Sequence, residues 1–258
     1  MGERLGQHFL TNPHYAEILA REAGITESDT VLEIGPGEGM LTRELLKHAA
    51  KVVAVERDEA LVAKLHEIFP TEIKSGKLQI VSDDVRNFNP RTSGLVPSAY
   101  ILAANIPYYI TGELLRKFLE ADAQPRTIAF LMQKEVAQRI LSEKESILSI
   151  SVKAYGKPRI AAKVSKGNFN PPPKVDSAIL VVENISKNNF SDLNEENFFE
   201  VVRAGFASKR KMLANNLSTR FGKEKISMTF STLALDPKTR AENLALQQWL
   251  TLARMIYS

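Results

Sequence analysis

A doubly wound, mostly parallel α/β sheet followed by a small α-helical domain is the fold this sequence predicts. Three observations carry that expectation. Short apolar runs alternate with amphipathic helical patterns between residues 30 and 133, the order that builds a parallel sheet with helices on both faces. A glycine-rich turn, EIGPGEG at 33–39, joins the first run to the first helical pattern. Beyond SKNNFSDLN at 186–194 the apolar residues keep helical spacing.

Taken in order, TVLEIG (30–35) reads as a buried strand, GMLTRELLKHAA (39–50) as a helix and KVVAVE (51–56) as a second strand. EALVAKLHEIF is helical, KLQIVS (77–82) and YILAAN (100–105) are strands, ITGELLRKFLEA is helix-like and TIAFLMQ (127–133) is a fifth strand. EVAQRILS and SILSISVKAYG are helical. RIAAKVSKGNF and SAILVVENI then suit an antiparallel hairpin at the edge of the parallel sheet. The polar, strand-breaking segment at 186–194 sets the boundary: 1–186 for the sheet domain and 187–258 for the helical one. The second holds EENFFEVVRAGFA, KRKMLANNLSTRF, ISMTFSTLAL and LQQWLTLARMI.

Bulk properties narrow the classes. The chain has 258 residues, 44% hydrophobic and 25% charged, ordinary values for a soluble globular protein. Absence of cysteine excludes disulfides and thiolate metal sites and fits a reducing interior. No apolar run reaches the roughly 18 residues of a spanning helix. MGERLGQHFL lacks a secretory pattern, so a cytoplasmic protein without a membrane partner is expected. A net charge of +4 permits a polyanionic partner without demanding one. No metal is expected, and a monomer is the default.

Gly35, Gly37 and Gly39 let the backbone turn tightly and approach a ligand, with a helix N-terminus facing it. The dinucleotide fingerprint is not met, because its third glycine would fall at Met40. Glu56, at the end of the second strand, stands where an acid takes ribose hydroxyls; a solvated strand end is the other reading. Asp84, after the third, can accept from an adenine amino group or simply make an Asx-turn. Three such features at the carboxyl ends of successive strands point together to a nucleoside-containing cofactor.

NIPYY (105–109) ends the fourth strand. Asn105 can present its carbonyl oxygen, Pro107 removes a donor and stiffens the turn, and Tyr108 offers a flat face for a base. An exocyclic purine amine is a poor nucleophile because its lone pair is conjugated with the ring. Two acceptors, the Asn105 oxygen and a nearby backbone carbonyl (Ile106 is the candidate), favour pyramidalisation as that lone pair turns towards an electrophilic methyl. Strong base is unnecessary, since the alkylated nitrogen sheds its proton readily. The motif suits a flipped-out base with an attacking amine; an N-x-P turn beside two core tyrosines is the plainer alternative.

EIGPGEG, VVAVE, NIPYY, FLMQKEVAQRI and FNPPPKVDSA, with GQHFL and FASKRKMLANNL, resemble the ribosomal RNA adenine N6,N6-dimethyltransferase family over almost the whole chain. The resemblance implies a Rossmann-like class I S-adenosylmethionine-dependent methyltransferase fold. It also implies S-adenosyl-L-methionine as cofactor and two adjacent adenines in the 3′-terminal hairpin of small-subunit (16S) rRNA as substrate, in a 30S or pre-30S particle. By the same resemblance His8 and Leu10 lie over the cofactor, Gly35 at its methionine end with Gly37, Glu56 on its ribose and Asp84 near its adenine. Asn105 lies beside the reacting methyl, with Pro107 and Tyr108 completing the catalytic turn. Many members have Asn where this chain has His8. Phe169 resembles an aromatic residue closing on the target adenine opposite Tyr108; a core phenylalanine is the other reading.

In FASKRKMLANNL, Phe206, Leu213 and Leu217 fall on one helical stripe, which would carry Arg210 partly buried between exposed Lys209 and Lys211. These three, with Lys134 and Arg139 of QKEVAQR, are candidate phosphate contacts or a solvated charged face. Rival classes are a large-subunit rRNA methyltransferase conferring antibiotic resistance, a non-catalytic assembly or transcription factor of this fold, and a nicotinamide oxidoreductase.

Overall fold

A computed structural model describes residues 8–258. The chain opens on a two-residue strand, β1 (Phe9–Leu10), and helix α1 (Pro13–Glu22). Asn12 caps α1, its side chain accepting from the His14 amide at 3.1 Å, with proline at the first helical position. There follow β2 (Thr30–Ile34), α2 (Met40–His48), β3 (Lys51–Glu56), α3 (Glu59–Ile68), α4 (Pro70–Lys74) and β4 (Leu78–Ser82). Next come β5 (Tyr100–Asn105), α5 (Thr111–Glu120), β6 (Thr127–Gln133), α6 (Lys134–Leu141) and α7 (Ile147–Tyr155). The rest is β7 (Lys157–Val164), β8 (Phe169–Asn170), β9 (Ser177–Glu183), α8 (Glu195–Gly205), α9 (Leu213–Phe221), α10 (Lys223–Thr232) and α11 (Leu246–Tyr257).

The main sheet has seven strands in the order β4-β3-β2-β5-β6-β9-β7. The first five are parallel and β9 and β7 add antiparallel, so the expected edge hairpin is present. The chain winds outward from β2 through β3 to β4, then returns to place β5 on the other side of β2. The order reverses between β2 and β5, and open α/β sheets bind ligands at the carboxyl ends of strands at such a point. Val31, Leu32, Val52, Val53, Ile101 and Leu102 are fully shielded, as strands covered on both faces require.

The described residues form two compact units: one runs to Gln138 and includes Gly156–Ile185, the other comprises Arg139–Tyr155 and Ser186–Ser258. The sequence reading had put 139–155 with the sheet. Their side chains explain the difference: α7 buries Ile150, Val152, Ala154 and Tyr155, and the Tyr155 ring meets Phe190 and Phe199 at 5.2 and 6.0 Å. In the helical unit Trp249 is fully buried, with the Phe206 ring stacked on it at 5.6 Å. Among the described residues no helix is long and apolar enough to cross a membrane.

Candidate active site

The cleft lies in the sheet unit, between the loops that leave β2 and β5. Residues 8–10 run over it as a strap. The strap is sewn down by an antiparallel pair, Phe9 opposite Asn170 and Leu10 opposite Phe169, and by the Thr11 amide donating to the Asn168 carbonyl at 2.9 Å.

Beneath the strap is the glycine loop. Gly37 has φ 57°, and a Cβ there would come within 2.8 Å of the Phe9 ring, so both its conformation and its neighbour demand glycine. Glu56 is 5% exposed and ties this loop to the next. Its Oε1 accepts from the Arg57 and Asp58 amides at 2.8 and 2.9 Å, and Oε2 accepts from the Gly37 amide at 3.2 Å. A carboxylate offers about four lone-pair sites, so Oε2 retains capacity for a ligand hydroxyl.

Behind the loop, Glu33 is 1% exposed and neither carboxyl oxygen has a hydrogen-bond partner among the described residues. In the sheet it lies between Ala54 and Ala103, small residues on the two neighbouring strands. Burial pushes its pKa up to about 8, and the Glu56 carboxylate adds to the rise. The Thr42 hydroxyl moderates the rise but stands outside hydrogen-bonding geometry.

Asp84 is already engaged. Arg86 meets it with Nε at 3.0 Å and Nη2 at 2.5 Å, and Arg57 approaches at 3.5 Å. The Arg86 guanidinium is the main reason its pKa falls to about 2. Neither arginine was foreseen from sequence.

At the other end, Asn105 donates through Nδ2 to the His8 carbonyl at 3.2 Å. This fixes the amide and turns its oxygen free as an acceptor. The His8 ring donates through Nδ1 to the Pro171 carbonyl at 2.7 Å, since a carbonyl can only accept, and lies 5.8 Å from the Tyr108 ring. Tyr108 sits on a short 3₁₀ turn (Tyr108–Ile110) after Pro107, with its hydroxyl 2.6 Å from Ser177 Oγ. Burial raises the Tyr108 pKa while the Ser177 hydroxyl works against the rise.

His8, Leu10, Gly35, Gly37, Glu56, Asp84, Asn105, Pro107 and Tyr108 thus all line one cleft. Phe169 does not. It is 4% exposed and packs in the core cluster with Leu10, Val164 and Ile179, because strand alternation turns its side chain inward and Asn170 outward. Arg210 also departs from its reading. Residues 207–212 form a turn, the helical stripe breaks there, and Arg210 is exposed beside Lys209 and Lys211. Lys134 is half-buried and Arg139 exposed on α6. Phe9, Ser177 and the Pro171 carbonyl were missed; their partners lie too far along the chain for any local signal.

Strand order, a glycine loop after the first long strand and an acid at the end of the second define the class I methyltransferase fold. Among solved structures, a dimethyladenosine transferase from Plasmodium falciparum is 27% identical with TM-score 0.79, covering 95% of this chain and 96% of that one. The 23S rRNA methyltransferase ErmE, at 24% identity and TM-score 0.74, covers 97% and 100% and shows the fold alone. The sequence pattern of the ribosomal RNA adenine dimethylase family matches residues 2–258, and the chain belongs to that family. Similar relatives include the ribosomal RNA small subunit methyltransferase A of Dehalococcoides mccartyi, 37% identical over 258 residues, 98% of this chain and 87% of that protein. That of Clostridium botulinum is 34% identical over 261 residues, 99% and 94% of the respective chains.

Proposed function

We propose that this protein transfers methyl groups from S-adenosyl-L-methionine to N6 of two adjacent adenines in the 3′-terminal hairpin of small-subunit rRNA. Its substrate is a 30S or pre-30S particle, and it acts as a cytoplasmic monomer. One observation carries the chemistry: the Asn105 amide is clamped through its nitrogen to the strap, which aims its oxygen into the cleft beside the Tyr108 ring. Relatives named small subunit methyltransferase A, similar over nearly the full length, support the small-subunit substrate.

The cleft fits the cofactor. The Gly37 position admits no side chain beneath Phe9, and the buried Glu56 carboxylate keeps a lone pair for a ribose hydroxyl. His8 and Leu10 would cover the cofactor, Gly35 and Gly37 would hold its methionine end, Glu56 its ribose and Asp84 its adenine edge. When bound, it supplies an electrophilic methyl on a sulfonium sulfur.

The remaining work belongs to the chain. Asn105 Oδ1 accepts from the adenine amino group, and the Ile106 carbonyl takes the second N–H. Both bonds strengthen as the nitrogen pyramidalises, so they lower the barrier more than they tighten binding. Pro107 stiffens the turn that carries both acceptors, and Tyr108 stacks on the base, worth about 1–3 kcal/mol. Lys134, Arg139, Lys209, Arg210 and Lys211 contact phosphates.

The test is to incubate under-methylated 30S particles with the protein and S-adenosyl-L-methionine and map the modified nucleotides by mass spectrometry. N6,N6-dimethyladenosine at two adjacent small-subunit adenines supports the proposal. Methylation confined to large-subunit RNA, or none, refutes it.

A further inference from the structure

FNPPPKVDSA is part of the family likeness, yet none of its side chains enters the chemistry above. Phe169 is turned into the core, leaving the second half of the segment without a role. The structure supplies one at Ser177. This residue opens β9, opposite Gln133 of β6 and Val164 of β7, and is fully buried. The chain before it is tied down: the Asp176 carbonyl accepts from the Lys134 amide and its carboxylate from the Lys166 amide, each at 3.1 Å. A hydroxyl carried on such a strand is held still by the sheet.

Tyr108 is not carried on a strand. It sits on a three-residue turn between Pro107 and α5 and is half-buried. Its hydroxyl meets Ser177 Oγ at 2.6 Å, across 69 residues of chain. Stacking needs the ring plane at a set height and angle over the base, and a half-buried turn residue whose ring meets the His8 ring at a tilt can still shift. A bond at the far end of the ring removes that freedom. We propose that Ser177 is a positioning residue for the reaction proposed above: its hydroxyl holds Tyr108 by the phenol oxygen, so that the ring presents its face to the target adenine beside Asn105.

This inference rests on the methyltransferase reading and extends it to a residue outside the cleft. It also gives the tyrosine hydroxyl a use, where the sequence reading had assigned work to the ring face alone. A plain structural role for Ser177 predicts loss of stability; a positioning role predicts loss of turnover, and only in the presence of its partner hydroxyl.

The test is a double-mutant cycle on the full chain with Ser177→Ala, Tyr108→Phe and the double variant, assayed on under-methylated 30S particles. Each single variant should lose about five- to tenfold in kcat/KM, the size expected for one hydrogen bond. The double variant should lose no more than either single. Dissociation constants for S-adenosyl-L-methionine should stay at parental values, and thermal midpoints should fall by no more than the loss of one hydrogen bond accounts for. Parental turnover in Ser177→Ala, or losses that multiply in the double variant, would overturn the inference. So would a fall in turnover that merely follows a fall in thermal midpoint. Failure of the parent protein to methylate adenine would instead overturn the underlying function, which separates the two.

Discussion

The two ends of the cleft are built on opposite plans. At the end proposed for the cofactor the acids are bonded within the protein: Glu56 takes three backbone amides and Asp84 is held by Arg86 and Arg57. At the end proposed for the reaction the groups are joined to distant backbone or hydroxyls, Asn105 to the His8 carbonyl, the His8 ring to the Pro171 carbonyl and Tyr108 to Ser177. There an acceptor is deliberately left over. On the function proposed above, the difference organises one end for affinity and the other for rate. Binding needs charge held in place. Transfer needs a neutral oxygen aimed at a nitrogen whose bonds strengthen only as it reacts.

The sharpest break of this contrast is Asn105→Ala. It should lower turnover by about a hundred- to thousandfold, by analogy with loss of one preorganised polar contact, and change cofactor and RNA affinity far less, because the strap keeps its pairing to Phe169 and Asn170 and its bond to Asn168 when the His8 carbonyl loses its partner. Calorimetry and initial rates on 30S particles check both halves. Glu56→Ala should act in the reverse sense, weakening cofactor binding about ten- to hundredfold, since a hydrogen bond to a charged group contributes about 1.5–3 kcal/mol. Because the same carboxylate accepts from three backbone amides, its thermal midpoint should fall as well.

Those two residues mark how far the sequence could be read. KVVAVE, YILAAN and TIAFLMQ coincide end to end with β3, β5 and β6, because strands buried on both faces are apolar throughout. Helix α1 escaped notice: its buried face is Ala16, Leu19 and Ala20, too small to give a strong period. β1 and β8 have two residues each and cannot show a period at all. Arg210 was misplaced because a helical repeat was projected through a turn. Gly35, Glu56, Asp84 and Asn105 were legible because each ends a strand or lies in the loop after it, whereas His8 and Leu10 came only with the family resemblance. Long-range partners were not legible, because Asn105–His8 and Tyr108–Ser177 span 97 and 69 residues.

A smaller effect probes the buried acid behind the glycine loop. Glu33 titrates near 8 in the folded chain against 4.5 when unfolded, so folding favours its protonated form. Its contribution is complete below about pH 4.5 and is lost as pH rises towards 8. Glu33→Gln should remove that slope, holding the thermal midpoint flatter than the parent between these limits. A slope identical to the parent's would show that Glu33 is not the group responsible. The smallest change concerns neither end. Replacing Lys209 and Lys211 with Ala should weaken 30S binding and reduce the slope of log K against log salt by about 0.9 per lost phosphate contact, with cofactor affinity unmoved. An unaltered slope would leave the two lysines as a solvated face.

The division of labour between the ends is tested most directly by single-turnover methyl transfer at saturating S-adenosyl-L-methionine, with Glu56→Ala and Asn105→Ala measured side by side. Saturation restores whatever was lost through affinity and nothing that was lost through the barrier. Glu56→Ala should then approach the parental rate while Asn105→Ala stays at least a hundredfold slower. Recovery of Asn105→Ala, or failure of Glu56→Ala to recover, would contradict the account.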